Sequence, residues 1–305
     1  MKELLLETTN IKSVFNDLQT IPRGIEIIGA QKVWEKSRKG QGIVVAVLDS
    51  GCDISHPDLK ENIIGGLNFT NDDGGDKTIF TDYLGHGTHV AGIIAATDNG
   101  KGIVGVAPKS KLLILKVIDK SNSGSFKRLI EAIEYAAKWV GPNGERVSIV
   151  NMSLGSPYPN EKLHEVIKKA RQDGIIFVAA AGNEGDGKEE SFEVSYPGYY
   201  EEVIQIGSIT EDMKPSKFSN TNVNLDFVAP GENVLSTHLG GKYVELTGTS
   251  MAAPHVSGAI ALILNMIDQK RDIMTPYIVY SYLLNHAKKL GFSIYQEGNG
   301  LVQLA

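Results

Sequence analysis

Residues 43–48, 112–117, 148–152, 175–180 and 203–206 are apolar almost without a break. A strand with one face in water alternates polar and apolar side chains, so strands lacking that alternation must be covered on both faces. That is the condition of a parallel sheet, whose crossover connections lay helices over both sides. The intervening sequence supplies those helices. Amphipathic spacing predicts them over 86–96, 126–139, 161–172, 251–267 and 276–286, and Gly100, Gly141 and Gly174 punctuate their ends. The expected architecture is therefore α/β, with a mainly parallel central sheet flanked by helices in three layers. No internal repeat, low-complexity tract or linker divides it, which favours one domain from about residue 18 to the C-terminus.

Bulk properties narrow the function classes. A chain of 305 residues with 42% hydrophobic residues can bury one large core or two smaller ones. Its net charge of -6, with lysines and arginines scattered along the chain, argues against a nucleic-acid partner. No apolar run is long enough to span a bilayer, so no membrane role is expected. Cys52 is the single cysteine, so no intramolecular disulfide can form and a reducing compartment suits the chain. The start, Met1-Lys2-Glu3 followed by Leu4, Leu5 and Leu6, is too short and too acidic for the apolar part of a signal peptide. Cytoplasmic residence is the resulting expectation.

Chemistry in open parallel sheets gathers beyond the carboxyl ends of the strands, and Asp49 and Asn151 both stand at or near such ends. His86 lies in G-H-G-T-H-V-A-G at the start of a predicted helix, where Gly87 and Gly92 permit close approach to a neighbouring strand. Ser250 lies in G-T-S-M-A-A-P-H at the start of another, so the positive end of that helix favours negative charge on its oxygen. Taken singly, each residue has a structural reading: Ser250 as a helix cap, Asp49 as a turn residue, His86 as a hydrogen-bonder. Together, and in the order aspartate, histidine, serine, the segments resemble the subtilisin family of serine endopeptidases, a match that extends from residue 18 to about residue 301.

The resemblance implies a three-layer subtilisin-like fold and a catalytic role for four residues. Ser250 would be the nucleophile, His86 its general base and then acid, and Asp49 the partner that fixes the imidazole tautomer. Asn183, in A-A-A-G-N-E-G, would donate to the oxyanion beside the Ser250 backbone N–H. Two other chemistries fit less well. His86 and His89 lie three apart, but the segment is not H-E-x-x-H and offers no third ligand for a metal. The serine motif is likewise not the G-x-S-x-G of ester hydrolases. A catalytically silent binding protein would be expected to lack one of the four residues.

The same match assigns substrate contacts. Ser153, Leu154 and Gly155 would form one wall of the S1 pocket and Ala180, Ala181 and Gly182 the other, with Asn122, Ser123 and Gly124 as the second edge along the substrate backbone. Phe126 would line S4. Ser195 falls at the floor of S1, where extracellular relatives commonly have glycine, so large aromatic P1 side chains are disfavoured; Glu184 at the rim would add a preference for basic ones. Binding by strand addition tolerates many sequences, so unfolded or flexible proteins and peptides are the expected substrates.

Calcium is the implied cofactor. Gln19, Asp58 and Asn99 would give side-chain oxygens, and Thr97, Lys101 and Ile103 backbone carbonyls, an oxygen-only set that suits Ca²⁺. The arrangement of the N-terminus and the D-S-G-C sequence at Asp49 are similar to the intracellular subtilisins of Gram-positive bacteria. In that subfamily a short N-terminal extension blocks the active site until it is cleaved, and the mature enzyme is typically a homodimer. Residues 1–17 are thus expected to be an inhibitory extension and residues 18–305 the catalytic domain. Leu4, Leu5 and Leu6 would occupy the cleft, while the helical spacing of Ile11, Val14, Phe15 and Leu18 would lay an apolar face on the body. The subfamily's proline is absent from residues 1–17.

Overall fold

The computed structural model describes residues 4, 9–13, 19–189, 191–267 and 271–305, with 9–13 described by their backbone. In chain order the strands are β1 (Thr9–Ser13), β2 (Val44–Asp49), β3 (Ile63–Asn68), β4 (Lys111–Lys116), β5 (Val147–Met152), β6 (Ile176–Ala180), β7 (Val203–Ile209), β8 (Phe227–Pro230), β9 (Val234–His238) and β10 (Lys242–Thr247). The α-helices are α1 (Arg23–Ile27), α2 (His86–Ala95), α3 (Phe126–Lys138), α4 (Glu161–Gln172), α5 (Thr249–Met266), α6 (Thr275–His286) and α7 (Ile294–Glu297). Seven strands form the central sheet in the order β3-β4-β2-β5-β6-β7-β8, each neighbouring pair parallel. All five expected strands and all five expected helices are present, with ends displaced by a few residues at most.

The layers follow from the two-residue period of the strands. Val45 and Val47 of β2, with Ile149 of β5 and Val178 of β6, pack into one core with α2 and α5. Val44, Ala46 and Leu48, with Val150, Phe177 and Ala179, pack into a second core with α3 and α4. Helix α2 is buried on every side, and α5 is buried from Thr249 to Leu264, which is why both read as apolar all round. By contrast α3 and α4 bury one stripe each and begin with side-chain caps, Ser125 Oγ accepting from Arg128 N–H and Asn160 Oδ1 from Leu163 N–H.

Beyond the central sheet, β9 and β10 form an antiparallel hairpin that turns through Gly240 and Gly241, both at positive φ. β1 adds to the outer edge of β10. This corrects the helical expectation for the segment containing Ile11, which lies in β1 as a strand. The unpaired edge of β10 offers a row of backbone donors and acceptors, and pairing with them outweighs an apolar periodicity of four residues. Leu5, Leu6, Val14, Phe15 and Leu18 lie outside the described residues.

Candidate active site

β2 ends on Asp49 with its side chain fully buried. Its Oδ1 accepts the Nδ1–H of His86 at 2.8 Å and the N–H of Ser50 at 2.7 Å. Helix α2 can come this close because of Gly87: a Cβ there would lie 2.2 Å from Gly51 O and 3.2 Å from Asp49 Oδ1. Since an ionised carboxylate only accepts, His86 carries a proton on Nδ1 and turns Nε2 away from the pair. That Nε2 is buried and has no hydrogen-bond partner among the described residues, and neither has Asp49 Oδ2.

Ser250 occupies the first turn of α5. Its Oγ donates to Ser153 O at 3.1 Å, and Ser153 Oγ donates back to Ser250 O at 2.8 Å. The second bond has a cause four residues along. Pro254 has no N–H to give to the carbonyl of Ser250, which is thereby free to receive the hydroxyl of Ser153, just after β5. The hydroxyl of Ser250 is therefore held on Ser153 O.

Asn183 completes the group. Its Oδ1 accepts both the N–H and the hydroxyl of Thr249 at 2.8 and 2.9 Å, which commits the oxygen and leaves the Nδ2 hydrogens as the donors it presents. A pocket of about 290 Å³, counting its open mouth, is lined by Leu154, Gly155, Ala180, Gly182, Asn183, Glu184, Ser195, Thr249 and Ser250. Ser195 presses on Gly155, where a Cβ would fall 2.0 Å from its Oγ. Glu184 is held at the rim by Asn220, whose Nδ2 donates to Oε2 at 2.6 Å.

Two of the expected wall residues sit elsewhere. Ala181 is fully buried in the core shared with α2 and α5, because the strand alternation that exposes Ala180 and Gly182 to the pocket turns Ala181 away. Ser153 is fully buried behind Ser250. Asn122, Ser123 and Gly124 lie outside this pocket on the loop before α3, and Phe126 begins that helix. The Gly124 N–H donates to Leu4 O at 3.2 Å in an antiparallel bridge. Leu4 is fully buried in the core cluster that holds Ile118 and Leu129 and against which Phe126 packs.

Two supporting residues were not singled out from the sequence. Asp82 is buried, and its Oδ1 accepts from Ser50 Oγ, Leu84 N and Gly85 N while Oδ2 accepts from Thr88 N and Oγ1. It ties the loop before His86 to the residue after Asp49. An aspartate just ahead of a helix start was the available signal. Lys116 at the end of β4 is fully buried, donates to Ser50 O at 2.6 Å and pairs with Asp72 at 3.2 Å. No signal marks it, since both partners are distant in sequence.

The expected cation ligands come together on one side of the molecule. Asp58 accepts from Asn99 Nδ2 and Ile103 N–H, its carbonyl accepts from Thr97, and Gln19 Nε2 donates to Thr97 O. Lys101 N–H donates to Asn99 Oδ1. A hard cation suits the chemistry of the set, since the Asp58 carboxylate, the amide oxygens of Gln19 and Asn99 and the carbonyls of the loop are all oxygen donors. Asp58 is also held by the Tyr243 hydroxyl at 2.8 Å. The other histidines have structural partners: His89 Nε2 donates to Val234 O, His56 bridges Asp58 N–H and Lys242 O, and His255 Nδ1 donates to Met251 O. Burial lowers the pKa of His89 to about 3 and of His255 to about 4.

Comparison with known proteins places the chain among peptidases. Residues 40–301 match the model of the Subtilase family. An intracellular serine protease of Paenibacillus polymyxa is 52% identical over 286 residues, covering 93% of this chain and 85% of its own length. The major intracellular serine protease of Bacillus subtilis is 49% identical over 290 residues, 94% of this chain and 89% of that protein. Subtilisin DY of Bacillus licheniformis is 39% identical over 286 residues, 94% and 98% of the two chains.

Proposed function

Because the chain belongs to the subtilase family and is a subtilisin-like serine endopeptidase, we propose that Asp49, His86 and Ser250 are its catalytic triad and Asn183 its oxyanion donor. The observation that carries this reading is the buried Asp49 at the end of β2 accepting the Nδ1–H of His86, together with Ser250 in the first turn of α5 on the pocket that Asn183 also lines. Ser250 Oγ attacks the peptide carbonyl as His86 Nε2 takes its proton, and Asp49 stabilises the imidazolium. The oxyanion is received by Asn183 Nδ2 and the Ser250 N–H at the positive end of α5. Collapse expels the amine, which takes the proton from His86. Water, deprotonated by the same nitrogen, then hydrolyses the acyl-enzyme.

The finer reading is a calcium-dependent intracellular enzyme of broad specificity, made as a zymogen and homodimeric when mature. Its intracellular setting is supported by the names of two relatives. Calcium, held by Gln19, Asp58, Thr97, Asn99, Lys101 and Ile103, would cross-link the loop 97–103 to the segment after residue 18. The zymogen reading is supported by Leu4 against Gly124 and by β1 on β10, the strand that leads through Gly248 into the helix of Ser250, two attachments of residues 1–17 to the body.

The test is to incubate the wild type and Ser250→Ala with calcium and an unfolded protein. Cleavage products and the enzyme's own N-terminus are followed by mass spectrometry. Wild type alone should cut the substrate and lose residues near 1–18; equal behaviour of the two would remove Ser250 as nucleophile.

A further inference from the structure

We propose that Asn220 is a positioning residue for the reaction: buried behind the pocket wall, it holds Gly182 and Glu184, the two neighbours of Asn183, and so aims the oxyanion donor while keeping a carboxylate at the pocket rim. The inference rests on the reading of Asn183 as that donor. It gives one residue outside the pocket a hand in both the rate and the choice of P1 side chain.

Asn220 lies on the connection between β7 and β8 and is fully buried. Its N–H donates to Gly182 O at 3.1 Å, its Oδ1 accepts the N–H of Glu184 at 2.7 Å, and its Nδ2 donates to Glu184 Oε2 at 2.6 Å. Two residues earlier, Phe218 O accepts the N–H of Gly185 at 2.9 Å. The approach is so close that a Cβ on Gly182, whose φ is +106°, would lie 2.2 Å from Asn220 Nδ2. The connection is itself fixed to the sheet, since the N–H of Ser208 in β7 donates to Ser219 Oγ at 3.0 Å and the N–H of Ser216 donates to Ser208 O at 2.9 Å. Asn183 is thus held at both ends. Asn220 fixes the residues on either side of its backbone, and Thr249 fixes its side-chain oxygen.

The bonds of Asn220 divide into two kinds. The one to Gly182 O comes from the backbone and survives a substitution, whereas both bonds to Glu184 come from the side chain. An amide suits that double task because one end accepts from an N–H while the other donates to a carboxylate. Without it the turn after Asn183 loosens, and a reacting group displaced by about 1 Å can cost about 100-fold in rate. The Glu184 carboxylate, exposed at the rim, loses its tether and swings into solvent, where its charge is screened from a P1 side chain.

The experiment places Asn220→Ala and Asn220→Asp in the full chain, in Asn183→Ala and in Glu184→Gln, and assays two peptides that differ only in leucine or lysine at P1. Rates are referred to active sites counted by complete labelling with a sulfonyl fluoride. Asn220→Ala should lower kcat on the leucine peptide at least about tenfold with KM changed less than about threefold, and should lower the lysine-to-leucine ratio of kcat/KM at least about threefold. In Asn183→Ala the same substitution should lower kcat less than about twofold, because no donor is left to misaim; a residue that only holds the fold together would cost the same in both. Asn220→Asp sets a second carboxylate against Glu184 and should lose as much as alanine. With Glu184→Gln the donor and acceptor trade places, so kcat should lie within about threefold of Glu184→Gln alone, and this pair carries the test if Asn220→Ala does not fold. An unchanged kcat in Asn220→Ala, a tenfold loss that persists in Asn183→Ala, or an Asn220→Asp loss that Glu184→Gln does not relieve overturns the positioning role. If Asn183→Ala itself keeps full kcat, the oxyanion reading fails first and that of Asn220 with it.

Discussion

At the residue scale the site depends on groups that a reading of motifs does not reach. Lys116 is a buried cation whose charge is answered by Asp72 and by the carbonyl of Ser50. Removing one partner of a buried pair leaves the other charge uncompensated, at about 3–5 kcal/mol. Asp72→Ala should therefore lower the stability of Ser250→Ala chains by about that much in denaturant melts, whereas Asp72→Ala with Lys116→Met should recover most of it; equal losses in both would show that the pair is not coupled. Asp49, His86, Ser250 and Asn183 were proposed from short segments that resemble a family's motifs, and Gly87 shows one steric reason such a segment keeps a glycine. Lys116 was illegible for the opposite reason. A lysine inside L-I-L-K-V-I carries no mark of the aspartate that will meet it from another loop.

At the element scale the sequence announced the strands covered on both faces and the longer helices, and missed elements with weaker patterns. β3 carries Gly65 and Gly66, and Gly66 leaves room for Ile114 O and the Phe80 ring, so its own apolar signal is thin. β8 has only four residues and ends in proline. β10 alternates as a half-exposed strand should, but its partner β1 is short and lies far off in sequence. The loop 97–103 was legible only through a family match, since its ligands to a cation come from three separate segments. If those segments hold calcium, the bound form is stabilised by mass action, about 2.7 kcal/mol at a hundredfold excess over Kd. Calcium should raise the Tm of Ser250→Ala chains, chelator should reverse it, and Asp58→Asn should remove the response; a response that persists in Asp58→Asn would place the ion elsewhere.

For the whole molecule, buried titratable groups set the response to acid. His89 and His255 stay neutral in the fold to about pH 3 and about pH 4, because burial disfavours their charged forms, and for His89 the nearby His86 adds to it. The unfolded chain protonates the same side chains from 6.5 downward. Their contribution is thus fully present above pH 6.5 and is lost as pH falls. Asp226 works against them: buried and raised from 3.8 to about 6, it holds a proton in the fold that the unfolded chain releases. For these three groups alone the unfolded state binds about one proton more between pH 6 and 4, a contribution to the slope of roughly 1.4 kcal/mol per unit, to which His56 and His238, also lowered by burial, add in the same direction. Melts of Ser250→Ala at several pH values would measure that slope. Asp226→Asn should steepen it and His89→Gln should flatten it; an unchanged slope in both would assign the acid response to other groups.

The parallel sheet has a consequence for the order in which the molecule comes into being. Asp49 and His86 meet across 37 residues, but Ser250 reaches Ser153 across 97, and β2 pairs with strands that arrive only after long crossovers. Closing such contacts is slow, and it waits on the last third of the chain. During synthesis the polypeptide exposes extended, unpaired strands well before it can assemble a nucleophile beside its base. Each new copy therefore passes through a stage in which it offers extended segments, the form in which a peptidase can take hold of a chain, before it becomes a peptidase itself.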